Sequence, residues 1–101
     1  MLRLIERVLG EGEVVRDGVS MVRVGYELAL YQEWTPRDGH LVPGHFEVEG
    51  HVMAPPESLE ALMGTQSPLI LHLDDGRRVD LYVLNPEGAI TPADQRGFYR
   101  A

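Results

Sequence analysis

The clearest alternation of apolar and polar residues lies between residues 22 and 34. Odd positions carry charge at Arg23, Glu27 and Glu33, whereas the even positions are apolar except for Gln32. A period of two residues is the repeat of a β-strand that buries one face, so the pattern predicts a long half-buried strand. The side chains predicted to face the core are Val22, Val24, Tyr26, Leu28, Leu30 and Trp34.

A hairpin turn is predicted just before this strand, at residues 16–18. An Asp-Gly pair between two apolar segments is a strong hairpin signal. A three-residue loop at this point would pair Val15 with Val19. The same register, continued away from the turn, would set Val8 opposite Tyr26. The chain is therefore expected to open with two antiparallel strands.

The segment of residues 2–9 allows two interpretations. Continuation of the hairpin register favours a strand, but Leu2, Ile5 and Leu9 also have the spacing of a helix face. We favour the strand, because the register of the predicted hairpin extends through the segment. Such a strand must then pass the glycines of residues 10–12, where a β-bulge or a sharp bend is expected.

The middle of the chain is predicted to contain a loop, a strand and a short helix. Residues 35–44 are rich in Pro and Gly and indicate the loop. Residues 45–53 alternate again, with Phe46, Val48 and Val52 on one side. A helix is predicted at 57–63, because acidic residues stand near its start and a glycine follows its end.

A second hairpin can be predicted to its register. Leu69 and Leu71 belong to one face of a strand, and Val79 and Leu81 belong to one face of the next. A two-residue loop would place leucines opposite charged residues. A three-residue loop at 74–76 pairs Leu71 with Val79 and Leu69 with Leu81. Because a slip of one residue turns every side chain to the other face, the three-residue loop is favoured.

The last fifteen residues give weaker signals. Residues 89–91 indicate a short strand, and residues 91–94 indicate a helical turn with a threonine N-cap and a proline at the first helical position. The tail at 96–101 is expected to fray, unless Phe98 and Tyr99 dock on the body of the protein.

Together these elements predict one domain over residues 1–101. Its fold class is mainly β, a small antiparallel β-barrel or bent sheet of about six strands with one short helix (about 57–63). Eleven Gly and seven Pro along the 101 residues suit short strands joined by turns. A core of this size leaves little room for a ligand chamber, so a small-molecule ligand is not expected.

The charge balance excludes several partners. Nine basic residues, all Arg, face sixteen acidic ones, and the formal net charge is −7. A chain of this charge repels polyanions, so neither nucleic acid nor a membrane surface is expected as a partner. The absence of Lys indicates the codon bias of a GC-rich bacterial genome. The absence of Cys removes disulfide, thiolate and redox chemistry, and no apolar leader is seen, so a cytoplasmic location is expected.

Four polar side chains share one face of the strand at 45–53 and suggest metal binding. His45, Glu47, Glu49 and His51 alternate along it, and imidazole and carboxylate are ligands for Zn²⁺ or another divalent ion. One strand rarely surrounds a small ion, so a third ligand such as His40 or His72 would have to come from elsewhere. An ordinary solvated strand face is the favoured interpretation.

Catalytic arrangements are not found. The predicted second hairpin sets His72 opposite Arg78 and diagonal to Asp80, which suits a cross-strand polar pair as well as a general base. No serine lies in a G-x-S-x-G turn, and the glycines at 10–12 flank a carboxylate that would repel phosphate. We therefore assign no catalytic, cofactor-binding or metal residue, and an enzyme is not the favoured interpretation.

Aromatic side chains suggest contact with another protein. Trp and Tyr are enriched at binding hot spots, and two of the four such side chains, Tyr31 and Tyr82, fall on the non-core face of their strands. The alternative is that these aromatic residues fill a second small core beneath the helix. The favoured function is a non-catalytic protein-interaction or assembly module that binds a protein partner or a second copy of itself. The alternative is a divalent-metal-binding domain, or a small metal-dependent enzyme, that uses His45 and His51. The aromatic residues concerned are Tyr31, Trp34, Tyr82 and Tyr99.

Overall fold

The computed structural model describes residues 1–100 of the chain. It confirms a mainly antiparallel β fold of six strands with one short helix. None of the helical residues in this described part forms an apolar stretch of membrane-spanning length. In chain order the elements are β1 (Leu2–Arg16), β2 (Val19–Arg37), β3 (His40–Met53), α1 (Pro56–Leu62), β4 (Leu69–His72), β5 (Arg78–Val83) and β6 (Ile90–Pro92).

The six strands form one sheet that curls into a nearly closed barrel. Their order is β3-β2-β1-β4-β5-β6, so β3 and β6 are the outer strands of the sheet and meet at a seam. Two backbone hydrogen bonds join the seam. Val52 N–H donates to Gly88 O at 2.8 Å, and Phe46 N–H donates to Gln95 O at 2.9 Å. Closure of this kind removes most of the open sheet edge.

The core lies inside the barrel and contains no buried charged residue within the described part of the chain. The alternation of β2 is confirmed from Val24 to Leu30, since the even positions are buried and Glu27 is exposed. Helix α1 packs Leu59 and Leu62 onto this core. The buried apolar residues include Val14, Val24, Tyr26, Leu28, Leu30, Val48, Val52, Leu59, Leu62, Leu69, Leu71, Leu73, Val79, Leu81, Val83 and Ile90.

The register predicted for the first hairpin is wrong by one residue beside the turn and by two residues between Glu6 and Val14. The turn has two residues, Asp17 and Gly18, with φ of 50° and 78°, as in the mirror-image turns that suit hairpins. A register shift lies beside the turn, between Val14 and Val15. Val8 therefore pairs with Leu28 instead of Tyr26. Residues 2–9 form a strand, as predicted.

The glycines at 10–12 do not produce a β-bulge. Pairing with β2 runs through them without a break, and β1 shifts register elsewhere, between Leu4 and Glu6 and beside the turn. Their role is close approach instead. A Cβ on Gly12 would overlap the carbonyl oxygen of His72, and a Cβ on Gly10 would overlap the side chains of Asp74 and Tyr26. The β4–β5 hairpin thus crosses the inner face of β1 at these positions.

The predicted loop at 35–44 is mostly strand. β2 continues to Arg37 and β3 begins at His40, with only Asp38 and Gly39 in the turn between them. This Asp-Gly pair is a second two-residue hairpin signal. The long strands that result extend past the barrel, and the molecule measures 50 × 25 × 24 Å.

The second hairpin and the helix follow the sequence closely. Leu71 pairs with Val79 and Leu69 with Leu81, as the three-residue loop requires. Gly76 has a φ of 89°, the left-handed conformation expected for the third loop residue. Helix α1 covers Pro56–Leu62, within one residue of the predicted 57–63.

The end of the chain differs in part from its prediction. The short strand predicted at 89–91 is confirmed to within one residue by β6 (Ile90–Pro92). Residues 91–94 form no helical turn, because β6 runs to Pro92 and Ala93 N–H donates to Asp80 O at 2.9 Å. The tail docks on the body of the protein through Phe98 and Tyr99. Tyr99 and Arg78 exchange two backbone hydrogen bonds of 2.7 and 2.9 Å, and the Arg77 guanidinium lies 5.1 Å from the Phe98 ring centre. Residue 101 lies outside the described residues.

The buried phenol of Tyr26 makes the fold sensitive to alkali. Its hydroxyl oxygen accepts a hydrogen bond from Asp74 N–H at 3.1 Å, and burial, together with the Asp74 carboxylate, raises the pKa of Tyr26 above its usual value of about 10. A raised folded-state pKa stabilises the protein fully below the unfolded pKa. This contribution is lost as the pH rises through the folded pKa.

We therefore expect the free energy of unfolding to hold up to about pH 9.5 and then to fall. Tyr26→Phe should lower it by about 1 kcal/mol at neutral pH, because Asp74 N–H loses its acceptor, and should make the alkaline decline shallower. Urea unfolding from pH 7 to 11 measures both effects. Tyr31→Phe, at a half-buried tyrosine, is the control, and an equal alkaline decline in the two variants would contradict the assignment.

Candidate functional site

The four polar residues predicted to share a face of β3 do so. His45, Glu47, Glu49 and His51 project from the outer side of the sheet, opposite the buried Val48 and Val52. Each histidine has one carboxylate neighbour. His45 Nε2 lies 3.3 Å from Glu47 Oε1, and His51 Nε2 lies 3.8 Å from Glu27 Oε2. The two pairs are separate.

The structure does not complete a metal centre from these residues. Within residues 1–100, no group of three His, Asp or Glu side chains is arranged to hold a metal ion. His40 stands at the β2–β3 turn, and His72 lies on β4, which is separated from β3 by β1 and β2. A stable divalent-cation site needs more ligands than one histidine and one carboxylate.

His72 takes the place predicted for it, and the carboxylate predicted to lie diagonal to it has other hydrogen-bond partners. It pairs with Arg78 across the hairpin and with Glu13 of β1 on its other side. Asp80, the carboxylate predicted to be diagonal to it, has other partners: it accepts hydrogen bonds from the Tyr99 hydroxyl and from Arg96 Nη2, the latter at 2.6 Å. Burial and the Asp80 hydrogen bond raise the pKa of Tyr99. The cluster therefore fastens the tail.

The aromatic residues predicted as a binding surface do not form one patch. Tyr31 lies on β2 and Tyr82 on β5, and two strands separate β2 from β5 in either direction around the barrel. Tyr99 belongs to the docked tail. Trp34 lies near the end of β2, with the Arg3 guanidinium 5.3 Å from its ring centre. The four aromatic residues therefore lie on separate parts of the barrel, and contact of any of them with a partner stays a prediction.

A polar groove follows the seam between β3 and β6. Its volume is about 520 Å³, and its walls carry the carboxylates of Glu47, Glu49 and Asp94. Glu47 contacts His45, and Asp94 accepts a hydrogen bond from Arg96 Nε at 3.0 Å. The lining holds one hydroxyl, on Thr91, and no histidine, lysine or arginine. The charged groups that line the groove are therefore all carboxylates.

The most unusual surface lies along β1. We use the name "β1 edge" for residues 2–12, which pair with β2 on one side and with no strand on the other. Four large apolar side chains on this segment are strongly exposed: Leu2 (44%), Leu4 (48%), Ile5 (48%) and Leu9 (68%). An unpaired strand edge that also carries exposed apolar side chains is a typical site of association with another chain.

The β1 edge is open because β4 leaves the plane of the sheet. β4 pairs with β1 only at residues 13–15, and the β4–β5 hairpin then crosses the inner face at Gly10 and Gly12. Arg77 lies directly after the turn of this hairpin. It forms an ion pair with Glu6 and a second with Asp75, at 2.8 Å. These pairs raise the pKa of the Arg77 guanidinium. The hairpin is therefore held on the inner face, away from the edge.

Sequence reasoning missed this surface, although a signal was present. The spacing of Leu2, Ile5 and Leu9 suits a helix face, whereas the strand that we favour for residues 2–9 leaves these three side chains without a predicted partner in the core. In the strand, Leu9 pairs with Glu27 on the outer face, while Val8 pairs with Leu28 on the inner face. A strand with apolar residues on both faces, in a chain too small to bury both, indicates a second interface.

Comparison of the sequence with protein-family models and with curated proteins, and of the fold with solved structures, finds no match.

Proposed function

We propose that this chain is a non-catalytic protein-interaction or assembly module of the cytoplasm, and that it binds through the β1 edge. One observation carries the proposal: four exposed apolar side chains lie along an eleven-residue strand segment whose second edge is unpaired. Burial of exposed apolar surface under another protein lowers the free energy of the system, because it removes that surface from water. The unpaired backbone groups of the edge add directional hydrogen bonds, as in β-strand addition.

Other features agree with a binding role. The polar groups of the barrel are mostly used in fixing its own loops and tail, as with Arg77 and Asp80. The alternative metal-binding function at His45 and His51 finds no favourable observation, since each imidazole contacts a single carboxylate. A net charge of −7 supports a protein partner over nucleic acid.

The test replaces two exposed leucines of the β1 edge with threonine, a polar residue that also favours β-strands. We expect Leu4→Thr combined with Leu9→Thr to abolish association, whether with a second copy or with a different protein, because the apolar contact is lost. Both positions are exposed, so the free energy of unfolding should change by less than about 1 kcal/mol. Light scattering of the purified protein and affinity capture from the source organism, repeated with purified components, measure association.

Val19→Thr combined with Leu84→Thr is the matched control, because these apolar residues are similarly exposed but lie away from the β1 edge. The control should associate like the unchanged protein. Equal loss in both variants would show a general effect of surface hydrophobicity. Association that survives the Leu4 and Leu9 changes would contradict the proposal.

A further inference from the structure

We infer that the partner at the β1 edge is a second copy of this chain, paired antiparallel so that the two sheets become continuous about a twofold axis at Leu9. The inference rests on the proposed function of the β1 edge and names its occupant. It follows from the direction of the backbone groups, from the charges that flank Leu9, and from the acidic character of the neighbouring face.

The backbone groups of Arg7, Leu9 and Glu11 are directed at the open side. Successive residues of an antiparallel strand direct their backbone groups to opposite sides. Val52 N–H is directed at the seam, so its β2 partner, Tyr26, directs its groups at β1. Tyr26 pairs with Gly10, and no register shift lies between residues 6 and 14. Gly10 therefore bonds to β2, and its odd-numbered neighbours face outwards.

The charges on these outward-facing residues are self-complementary. In a twofold antiparallel pair centred on Leu9, Leu9 of one copy lies opposite Leu9 of the other. Arg7 of each copy then lies opposite Glu11 of the other, twice in the same interface. Opposite charges directly across an antiparallel pair stabilise it, and like charges destabilise it. Centring the pair on Arg7 would instead place two guanidinium groups together.

The geometry on either side limits the pairing to the segment around Leu9. Towards the C-terminal end, β4 occupies the edge of β1 from residue 13. Towards the N-terminal end, the register shift between Leu4 and Glu6 bends β1. In this pairing, Leu4 and Ile5 of one copy come next to β4 of the other copy, whose Ile70 is half-buried. The pairing thus brings the most exposed of these apolar side chains, Leu9, into contact with its own copy.

Stacking of two copies face to face is opposed by charge. The outer face beside β1 carries Glu27, Glu33, Glu47 and Glu49, with Arg7 near them. Two such faces in contact would bring carboxylates together and desolvate them, which costs free energy. Pairing along the edge keeps these faces apart and in solvent. A second copy is therefore accommodated edge to edge.

A charge exchange tests the register. We expect Arg7→Glu alone, and Glu11→Arg alone, each to weaken dimerisation at least about 10-fold, since each places like charges in opposition twice. The double variant, Arg7→Glu with Glu11→Arg, should return dimerisation to within about 3-fold of the unchanged protein. Sedimentation or light scattering against concentration measures the dissociation constant. Arg37→Glu and Glu87→Arg are the controls of equal charge change away from the β1 edge.

The absence of Cys from the sequence allows a second, independent measurement. Leu9→Cys should form an intermolecular disulfide under mild oxidation, because Cα atoms in a hydrogen-bonded antiparallel pair lie about 5.5 Å apart, within disulfide range. Leu84→Cys, at another exposed leucine, should remain mostly monomeric. A disulfide yield at Leu84 equal to that at Leu9 would overturn the inference.

Two other outcomes would also overturn it. One is a protein that stays monomeric at the highest concentration tested; the other is a dimer that the double charge exchange fails to restore. Neither outcome decides the proposed function. A monomer that captures a different protein, and loses it when Leu4 and Leu9 are replaced by threonine, would retain the proposed function with a different occupant. A monomer that captures nothing would contradict both.

Discussion

Replacing Gly88 with alanine is expected to lower the free energy of unfolding by about 4 kcal/mol. Gly88 has a φ of 88°, which L-residues rarely adopt, and its Cβ would overlap the carbonyl oxygen of Val52. Gly88 O also accepts the hydrogen bond from Val52 N–H that joins β3 to the loop before β6. The alanine side chain therefore forces the seam of the barrel apart.

Gly64→Ala separates the effect of backbone conformation from that of crowding. Gly64 has a φ of 68°, but no atom lies within 4 Å of the position of its Cβ. We expect a loss of about 1–2 kcal/mol from the backbone conformation alone. Thermal unfolding measures both variants, and the melting temperature of Gly88→Ala should fall by about 15 °C or more. Equal losses in the two variants would contradict a packed seam at Gly88.

Replacing Leu81 with alanine should have an effect of similar size for a different reason. Leu81 is fully buried, pairs with Leu69 across the second hairpin and lies in the core. Its truncation removes apolar contacts and leaves a cavity, which typically lowers the free energy of unfolding by about 2–5 kcal/mol. We expect about 3–4 kcal/mol here, because strands on both sides of β5 hold the backbone in place.

Leu84 provides the control one residue beyond β5. It is 54% exposed, so Leu84→Ala should lower the free energy of unfolding by less than about 1 kcal/mol. Chemical denaturation of the two variants measures the difference. A Leu81→Ala variant as stable as Leu84→Ala would show that the second hairpin does not face the core as described.

Elements set by local pattern could be predicted from the sequence, and those set by distant pairing could not. The register of the second hairpin follows from its own leucines and valines, because only one loop length keeps Leu71 opposite Val79. In the first hairpin the same reasoning failed, since a shift between Val14 and Val15 lets a two-residue turn coexist with an apolar inner face. Periodicity does not reveal a compensating shift of this kind.

The open β1 edge could not be predicted from residues 2–12 and their neighbours in sequence. Whether a strand edge is open is decided by where β4 joins and leaves β1, and β4 lies more than fifty residues further along the chain. The glycines at 10 and 12 were visible, but their spacing indicates either a bulge or a close crossing. The relative positions of the aromatic residues could not be predicted for a related reason. The strands that carry Tyr31 and Tyr82 lie on opposite sides of the barrel.

The order of the strands also has a consequence for synthesis on the ribosome. β1, β2 and β3 are joined by two-residue turns and can pair as soon as they emerge, since hairpins form within about 1–10 μs. β4, β5 and β6 emerge later, and translation at about 5–20 residues per second delays them by several seconds. During that interval the inner face with Val24, Tyr26 and Leu28 has no cover. A nascent three-stranded sheet of this kind is a natural substrate for a chaperone that binds extended apolar segments.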